Sequence, residues 1–216
     1  MTAHTTLFLA RHGETVWHAE NRYAGISDVV LNDRGREQAA RLGSWATGAG
    51  LDAVWASPLG RARATAAPAA TALGLPITVD AGLIEVGFGM AEGRTLAELP
   101  PDRVTAFRAD PVGSAFPGAD DPRAAAGRGV AALRRIAAQH PGARVLVVTH
   151  NTLLRLVLCE LLGIPISCYR RVFPQVRNCA TTEIRLNGAD AALIAYNAPL
   201  PSAGEQVEGD RGRPRL

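Results

Sequence analysis

Short apolar runs divide the chain and predict buried β-strands. They lie at residues 5–10, 52–56, 77–79 and 144–149. Runs of this length that are bounded by turn residues are typical of strands covered on both faces. Two further runs, residues 179–186 and 190–196, flank Asn187-Gly188, a dipeptide that favours tight turns, and they predict a β-hairpin.

Between these runs, apolar residues recur at helical spacing and predict four helices. Three begin near residues 33, 59 and 122, and the fourth follows the strand at 144–149. The first has an N-cap residue, Asn32 or Asp33, and the last is expected to end at Gly163. Pro68 falls inside the second helix, where it lacks the N–H that an intrahelical hydrogen bond needs. We therefore expect Pro68 to kink or divide that helix.

Strands that alternate with helices predict the α/β class. We expect a three-layer α/β/α sandwich around a mainly parallel central sheet with one antiparallel edge. Residues 82–122 are rich in glycine, proline and acidic residues, and they should form loops and one or two short helices that make a small lid. The domain should span residues 1–198, and the polar stretch 199–216 should be a disordered tail.

The composition excludes several classes of protein. The 216 residues are 47% hydrophobic and 20% charged, which is typical of a chain with a sizeable core. The net charge of +3 is a weak bias that does not demand nucleic acid. The first apolar run stops at Arg11 and no apolar stretch reaches about 20 residues, so we expect a cytoplasmic protein with no membrane partner. The three cysteines form no CxxC pair, which favours reduced thiols over a metal site.

Polar residues follow three of the predicted strands directly. Arg11 and His12 follow the first strand, the segment from Ser57 to Arg61 follows the second, and His150 follows the last strand before the hairpin. In open parallel sheets, ligands bind beyond the carboxyl ends of the strands. We therefore expect these arginines and histidines to converge on one site for an anion.

The residues at the strand exits belong to longer motifs. These are residues 11–14 (RHGE), 57–62 (SPLGRA), 83–93 with Glu85 and Glu92, 116–118 (FPG) and 147–150 (VVTH). In order and spacing they resemble the motifs of the histidine phosphatase superfamily, which is also called phosphoglycerate mutase-like. The resemblance covers about residues 5–196, and the combination of motifs is far more specific than any one of them.

The resemblance implies phosphoryl transfer through a phosphohistidine on His12. A neutral imidazole is a good nucleophile near pH 7 and carries no charge that repels the phosphate. The phosphate would be bound by Arg11, Arg61, His150 and His12 itself. Glu85 would be the general acid that protonates the leaving oxygen, and the other glutamates of the same motifs, Glu14 and Glu92, are the alternatives. Because the protein itself supplies the positive charge, no metal and no cofactor are expected.

Three positions depart from the family's pattern. His18 stands where an asparagine that donates to the phosphate is usual, Ala24 where a glutamine is common, and Asn151 where a glycine or another small residue is usual. An imidazole at position 18 would still be able to donate. We take His18, Gly25 and Asn151 as candidate contacts of the substrate or its phosphate, and we expect the departures to affect substrate scope more than chemistry.

Three functions are open at this point. A phosphatase that hydrolyses phosphomonoesters of small metabolites is favoured, because the middle of the chain is compact and residues 89–93 (GMAEG) resemble the phosphatase form of the acid loop. A phosphoglycerate-type mutase, which keeps its phosphoenzyme dry until a second acceptor arrives, is the alternative. The third is an inactive protein on the same fold that binds phosphometabolites or phosphoproteins. The expected partner is a small phosphorylated molecule, and the chain should be a monomer or a homodimer.

Overall fold

A six-stranded sheet forms the centre of the molecule. The structure, a computed structural model, describes residues 4–200. The strands are β1 (Thr5–Arg11), β2 (Ala53–Ala56), β3 (Ile77–Val79), β4 (Arg144–Thr149), β5 (Thr181–Asn187) and β6 (Asp190–Ala198). Their order in the sheet is β3-β2-β4-β1-β5-β6. The first four strands are parallel, whereas β5 is antiparallel to β1 and to β6, so the predicted mainly parallel sheet with an antiparallel edge is confirmed.

Helices cover both faces of this sheet. They are α1 (Asp33–Gly48), α2 (Gly60–Leu73), α3 (Pro101–Ala109), α4 (Pro122–Gln139), α5 (Asn151–Leu161) and α6 (Tyr169–Val172), with 3-10 helices at Ala81–Leu83, Gly89–Ala91, Leu96–Glu98 and Ile166–Cys168. On β1, Leu7 and Leu9 belong to an apolar cluster with α4 and α5, whereas Phe8 and Ala10 belong to a second cluster with α1 and α2. Successive side chains of a strand point to opposite faces, and this alternation produces the three layers.

The predicted division of the second helix at Pro68 is wrong, because α2 continues through that residue. Half of the 14 residues of α2 are alanine, the best helix former. Pro68 also packs closely against α1 at Gly43, where an added Cβ would lie 2.8 Å from the Cβ of Pro68. Helix propensity and close packing together outweigh the one hydrogen bond that the proline removes.

The lid segment (residues 82–122) builds a small apolar cluster of its own. Phe88, Phe107 and Phe116 surround the ring of Tyr23, which comes from the loop after β1. The rings of Tyr23 and Phe88 lie edge to face with their centroids 4.8 Å apart, a favourable aromatic geometry. The cluster fixes the lid segment beside the carboxyl end of β1, where its residues form one wall of a cleft.

The described part of the chain ends two residues into the predicted tail. Leu200 is partly buried against the cluster that α1 and α2 cover. The rest of the predicted tail, residues 201–216, lies outside the described residues. Within residues 4–200, no helix combines the length and the apolar character that a crossing of the bilayer requires.

Candidate active site

The carboxyl ends of the parallel strands bring the predicted residues together. Arg11 pairs with Thr149 at the end of the β1–β4 ladder, so His12 and His150 leave neighbouring strands side by side. Their ring centroids are 5.2 Å apart. β2 ends next to β4, and Ser57 directly after β2 lies within hydrogen-bond distance of His150. Three strand exits that are far apart in sequence therefore meet at one site.

The His12 ring is held in a defined tautomer. Its Nδ1 lies 2.7 Å from the carbonyl oxygen of Gly13, and since a carbonyl can only accept, Nδ1 carries the proton. Nε2 is left with a lone pair, which accepts a hydrogen bond of 3.3 Å from Nε of Arg61. Burial, reinforced by the positive charges of Arg11 and Arg61, lowers the pKa of His12 well below its ordinary value. The ring is therefore neutral and nucleophilic at Nε2 near neutral pH.

The backbone under His12 is packed too closely for any residue but glycine. A Cβ on Gly13 would lie 2.6 Å from the carbonyl oxygen of Gly35 in the first turn of α1. The amide of Gly13 donates to Oγ1 of Thr65 on α2 at 2.9 Å. Asn178 donates to the His12 carbonyl at 2.8 Å. These contacts fix the position of the imidazole without using Nε2.

Arg11 reaches the site with one nitrogen unoccupied. Its Nη1 donates to the carbonyl of Val176 at 2.8 Å, and its Nη2 donates to Nε2 of His18 at 2.7 Å. Its Nε is buried and has no partner among the described residues. Burial lowers the pKa of Arg11 to about 10, so the guanidinium stays charged near neutral pH.

The ring of His18 lies between Arg11 and Thr15 and contacts both residues. Its Nε2 accepts from Nη2 of Arg11 at 2.7 Å, and its Nδ1 accepts from the backbone amide of Thr15 at 3.0 Å and lies 2.8 Å from the hydroxyl of the same residue. Burial lowers the pKa of His18 to about 4, so the ring is neutral. Both ring nitrogens thus have partners within the protein, and His18 is among the residues that line the cleft.

Arg61 also supports the loop that follows β1. It is buried, its Nη1 donates to the carbonyl of Ser27 at 2.5 Å, and its Nη2 donates to that of Gly25 at 2.6 Å. Glu92 closes the same loop from the other side by accepting from the amide of Gly25 and the hydroxyl of Ser27. Gly25 and Glu92 therefore hold the loop and Arg61 in place, and neither is among the residues that line the cleft.

Of the three candidate acids, only Glu85 lines the cleft. Its Oε1 accepts from the amides of Val86 and Leu153, and its Oε2 accepts from the amide of Thr152 at 2.9 Å. Burial raises the pKa of Glu85 above its ordinary value, against the opposing effect of these amides. Oε2 has a single donor, which leaves it room for a proton. Glu14, by contrast, accepts from Asn32 at the start of α1.

Buried polar atoms without a partner are concentrated at this site. Among the described residues they are Nε of Arg11, Nδ1 of His150, Oδ1 of Asn151 and Nε of Arg155. Nε2 of His150 is 2.7 Å from the hydroxyl of Ser57, so Ser57 can donate there while Nδ1 presents a proton to the site. Burial and the charges of Arg61 and Arg11 lower the pKa of His150, so this ring too is neutral. Nε of Arg11 and Nδ1 of His150 are donors on the residues next to His12 in the chain and in space, and such unpaired buried donors are a ready site for an anion.

A cleft of about 420 Å³, which suits a small molecule, is lined by Arg11, His12 and Asn151, whereas Arg61 and His150 lie behind His12 and are not among its lining residues. The charged residues that line it are Arg11, Arg22, Glu85, Arg155 and Arg170. The sequence analysis missed Arg155 and Arg170. Arg155 follows Asn151 by four residues on α5, so helical spacing from a motif residue was a signal for it. No comparable signal marked Arg170 on α6. In the described part of the chain, no group of three or more histidine, cysteine or acidic residues is arranged to hold a metal ion.

The fold and the site define an α/β enzyme that handles phosphate esters, with a neutral histidine between arginines at the carboxyl edge of its sheet. The family model of the histidine phosphatase superfamily (branch 1) matches residues 7–199, and the chain therefore belongs to this superfamily. The resemblance inferred from the motifs is confirmed. The superfamily joins phosphatases and mutases that act through phosphohistidine.

Individual relatives include proteins named for both activities. A protein of Salmonella paratyphi B named probable phosphoglycerate mutase GpmB is 34% identical over 203 residues, which cover 92% of each chain. YhfR of Bacillus stearothermophilus superposes with a TM-score of 0.84 at 30% identity, over 90% of this chain and 98% of its own. A phosphoserine phosphatase of Entamoeba histolytica in complex with 3-phosphoglyceric acid gives a TM-score of 0.80 at 26% identity, over 90% and 98%.

Proposed function

We propose that this protein is a phosphatase that hydrolyses phosphomonoesters of small metabolites through a phosphohistidine on Nε2 of His12. The observation that carries the proposal is the tautomer and the charge of the His12 ring. Nδ1 is tied to Gly13, the pKa is lowered by burial, and the lone pair of Nε2 lies beside the guanidinium of Arg61. A neutral nucleophile next to fixed positive charge is what attack on an anionic phosphate requires.

In the first step, Nε2 of His12 attacks phosphorus and the ester P–O bond breaks. The phosphoryl oxygens lie within reach of the free Nε of Arg11 and the free Nδ1–H of His150, while Arg61 flanks the attacking nitrogen. Glu85, whose protonated form burial favours, gives its proton to the leaving oxygen. The alcohol departs and a phosphohistidine remains.

In the second step, water attacks the phosphohistidine. The carboxylate that Glu85 has become takes a proton from the water as the new P–O bond forms and the P–N bond breaks. Inorganic phosphate leaves, and both His12 and Glu85 return to their starting states. One carboxyl thus serves as acid and then as base, which microscopic reversibility allows.

The proposal includes independence of metal ions. The charge that builds on the phosphoryl oxygens is met by Arg11 and Arg61, which remain charged, and by the N–H of His150. Release of phosphate from p-nitrophenyl phosphate should therefore survive exhaustive treatment with EDTA. Loss of turnover on chelation that Mg²⁺ or Zn²⁺ restores would overturn this part of the proposal.

A mutase is the second candidate, favoured by the name of the Salmonella relatives. A mutase would convert 3-phosphoglycerate to 2-phosphoglycerate, dependent on a bisphosphate primer, and release little phosphate. A phosphatase releases phosphate without a primer. Phosphorus NMR of one reaction mixture, with and without the primer, separates the two. The phosphatase is preferred because the middle of the chain is compact and residues 89–93 (GMAEG) resemble the phosphatase form of the acid loop.

A further inference from the structure

We infer that the cleft holds a second anion site beside the phosphate pocket, formed by Arg155 and Arg170. Its ligand is a second anionic group on the substrate, a carboxylate or a further phosphate. The inference rests on the proposed function, because it names the class of ester that the same site selects. It begins from the charges that line the cleft.

Positive charge in the cleft exceeds what the phosphate pocket uses. Arg22 is already compensated, since it forms ion pairs with Glu20 at 2.7 Å and with Glu98 at 3.0 Å. Arg155 and Arg170 also line the cleft, and within residues 4–200 neither has a carboxylate at ion-pair distance. The guanidinium groups of Arg155 and Arg170 are therefore partly buried without a counter-charge, and a bound anion would stabilise them.

Arg155 has hydrogen-bonding capacity that the protein leaves unused. Its Nη2 donates to the carbonyl of Pro174 at 3.0 Å, but its Nε is buried with no partner among the described residues. Burial lowers the pKa of Arg155, and the charge of the neighbouring Arg170 lowers it further. Arg170 lines the same cleft from α6, which packs against α5, so the two guanidinium groups face one space.

Arg170 is held in place without being neutralised. Its Nε donates to the hydroxyl of Tyr169 at 2.9 Å, and its guanidinium stacks over the ring of Phe107 at 4.6 Å from the centroid. Both partners are uncharged at neutral pH. A guanidinium fixed in this way loses little freedom when it binds an anion, which favours affinity.

The position of Arg155 on α5 places the second anion site one helical turn beyond the phosphate pocket. Asn151 directly follows His150 at the start of α5, and Arg155 lies four residues later on the same face of that helix. This spacing corresponds to about 6 Å along the helix axis. The side-chain oxygen of Asn151, which also lines the cleft, is buried without a donor among the described residues and can accept from a hydroxyl of the leaving group. The fitting ligand is a short carbon skeleton with a phosphate at one end and an anion at the other.

The test compares pairs of esters that differ in the second anion. One pair is D-3-phosphoglycerate and glycerol 3-phosphate, and the other is fructose 1,6-bisphosphate and fructose 6-phosphate. In at least one pair, the wild type should prefer the ester that carries the second anionic group by about 10- to 100-fold in kcat/KM, the range for a charge-assisted contact. Arg155→Gln should reduce this preference at least about tenfold, and Arg155→Lys should retain part of it. The pair that shows the preference identifies the anion as carboxylate or phosphate.

A matched control is Arg63→Gln, which removes an exposed arginine of α2 that does not line the cleft and should keep the wild-type preference. Turnover of p-nitrophenyl phosphate by Arg155→Gln shows that the variant is folded. Absence of preference in the wild type, or a preference that survives in Arg155→Gln, would overturn the second anion site while leaving the phosphatase intact. No phosphate release by the wild type from any ester would instead overturn the proposed function.

Discussion

At the scale of single residues, burial acts in opposite senses on two groups of the same site. It lowers the pKa of His12 and raises that of Glu85, because in each case it disfavours the charged form. Both shifts favour the uncharged form, which gives a neutral nucleophile and favours a protonated acid, the pairing that the first chemical step needs. The sequence could indicate both residues through their motifs. It could not show the amides of Thr152 and Leu153 that hold Glu85, because they approach it only in the folded chain.

The role of Glu85 predicts a dependence on the leaving group. Glu85→Gln keeps the shape but cannot supply an acidic proton, so single-turnover phosphorylation by an alkyl phosphate should slow by about 10²- to 10⁴-fold. Phosphorylation by p-nitrophenyl phosphate should slow much less, since its phenolate leaves without help. Rapid-mixing measurements with both esters test this, and Glu14→Gln is the matched control that should affect neither. If Glu85→Gln slowed phosphorylation by both esters equally, Glu85 would not be the general acid.

The raised pKa of Glu85 also predicts the direction of a pH effect. The carboxyl is protonated below its pKa, and burial shifts that pKa upward. Phosphorylation by an alkyl phosphate should therefore fall as the pH rises through this shifted value. In a pH profile of single-turnover rates, Glu85→Gln should lack that alkaline decline. A decline that persists unchanged in the variant would assign the titration to another group.

At the scale of secondary-structure elements, the close contact of α1 with α2 decides the outcome at Pro68. Periodicity and capping located the helices, with Asn32 as the N-cap of α1. They did not foresee that α2 continues through Pro68, because the contact with Gly43 depends on how two helices meet and not on either sequence alone. This contact also supports the site, since Arg61 and Thr65 stand on α2.

The contact between Gly43 and Pro68 predicts the effect of one methyl group. Gly43→Ala places a Cβ 2.8 Å from Pro68 Cβ and should destabilise the fold by about 1–3 kcal/mol. The melting temperature should then fall by about 2–10 °C for a chain of this size. Gly48→Ala, in the last turn of α1 with nothing within 4 Å of the added Cβ, should leave the melting temperature unchanged or raise it. Thermal unfolding that shows both variants to be equally stable would refute the packing argument.

At the scale of the whole molecule, the parallel sheet brings distant parts of the chain to one edge. His12, Arg61 and His150 follow three different strands, and strand order alone places these exits next to one another. The rule that ligands bind beyond the carboxyl ends of parallel strands was therefore enough to predict an anion site. The far wall of the cleft was not predictable in this way, because Arg155 and Arg170 reach it from the surfaces of α5 and α6.

The central claim is that His12 carries the phosphoryl group during turnover. It is tested most directly by mixing the protein with a ³²P-labelled phosphomonoester, quenching rapidly in alkali and locating the label by peptide analysis. We predict a base-stable, acid-labile label on the peptide that contains His12, together with loss of both label and turnover in His12→Ala. Label on a different residue would contradict the claim. So would phosphate release by His12→Ala above about a tenth of the wild-type rate, which corresponds to an activation barrier raised by less than about 1.4 kcal/mol.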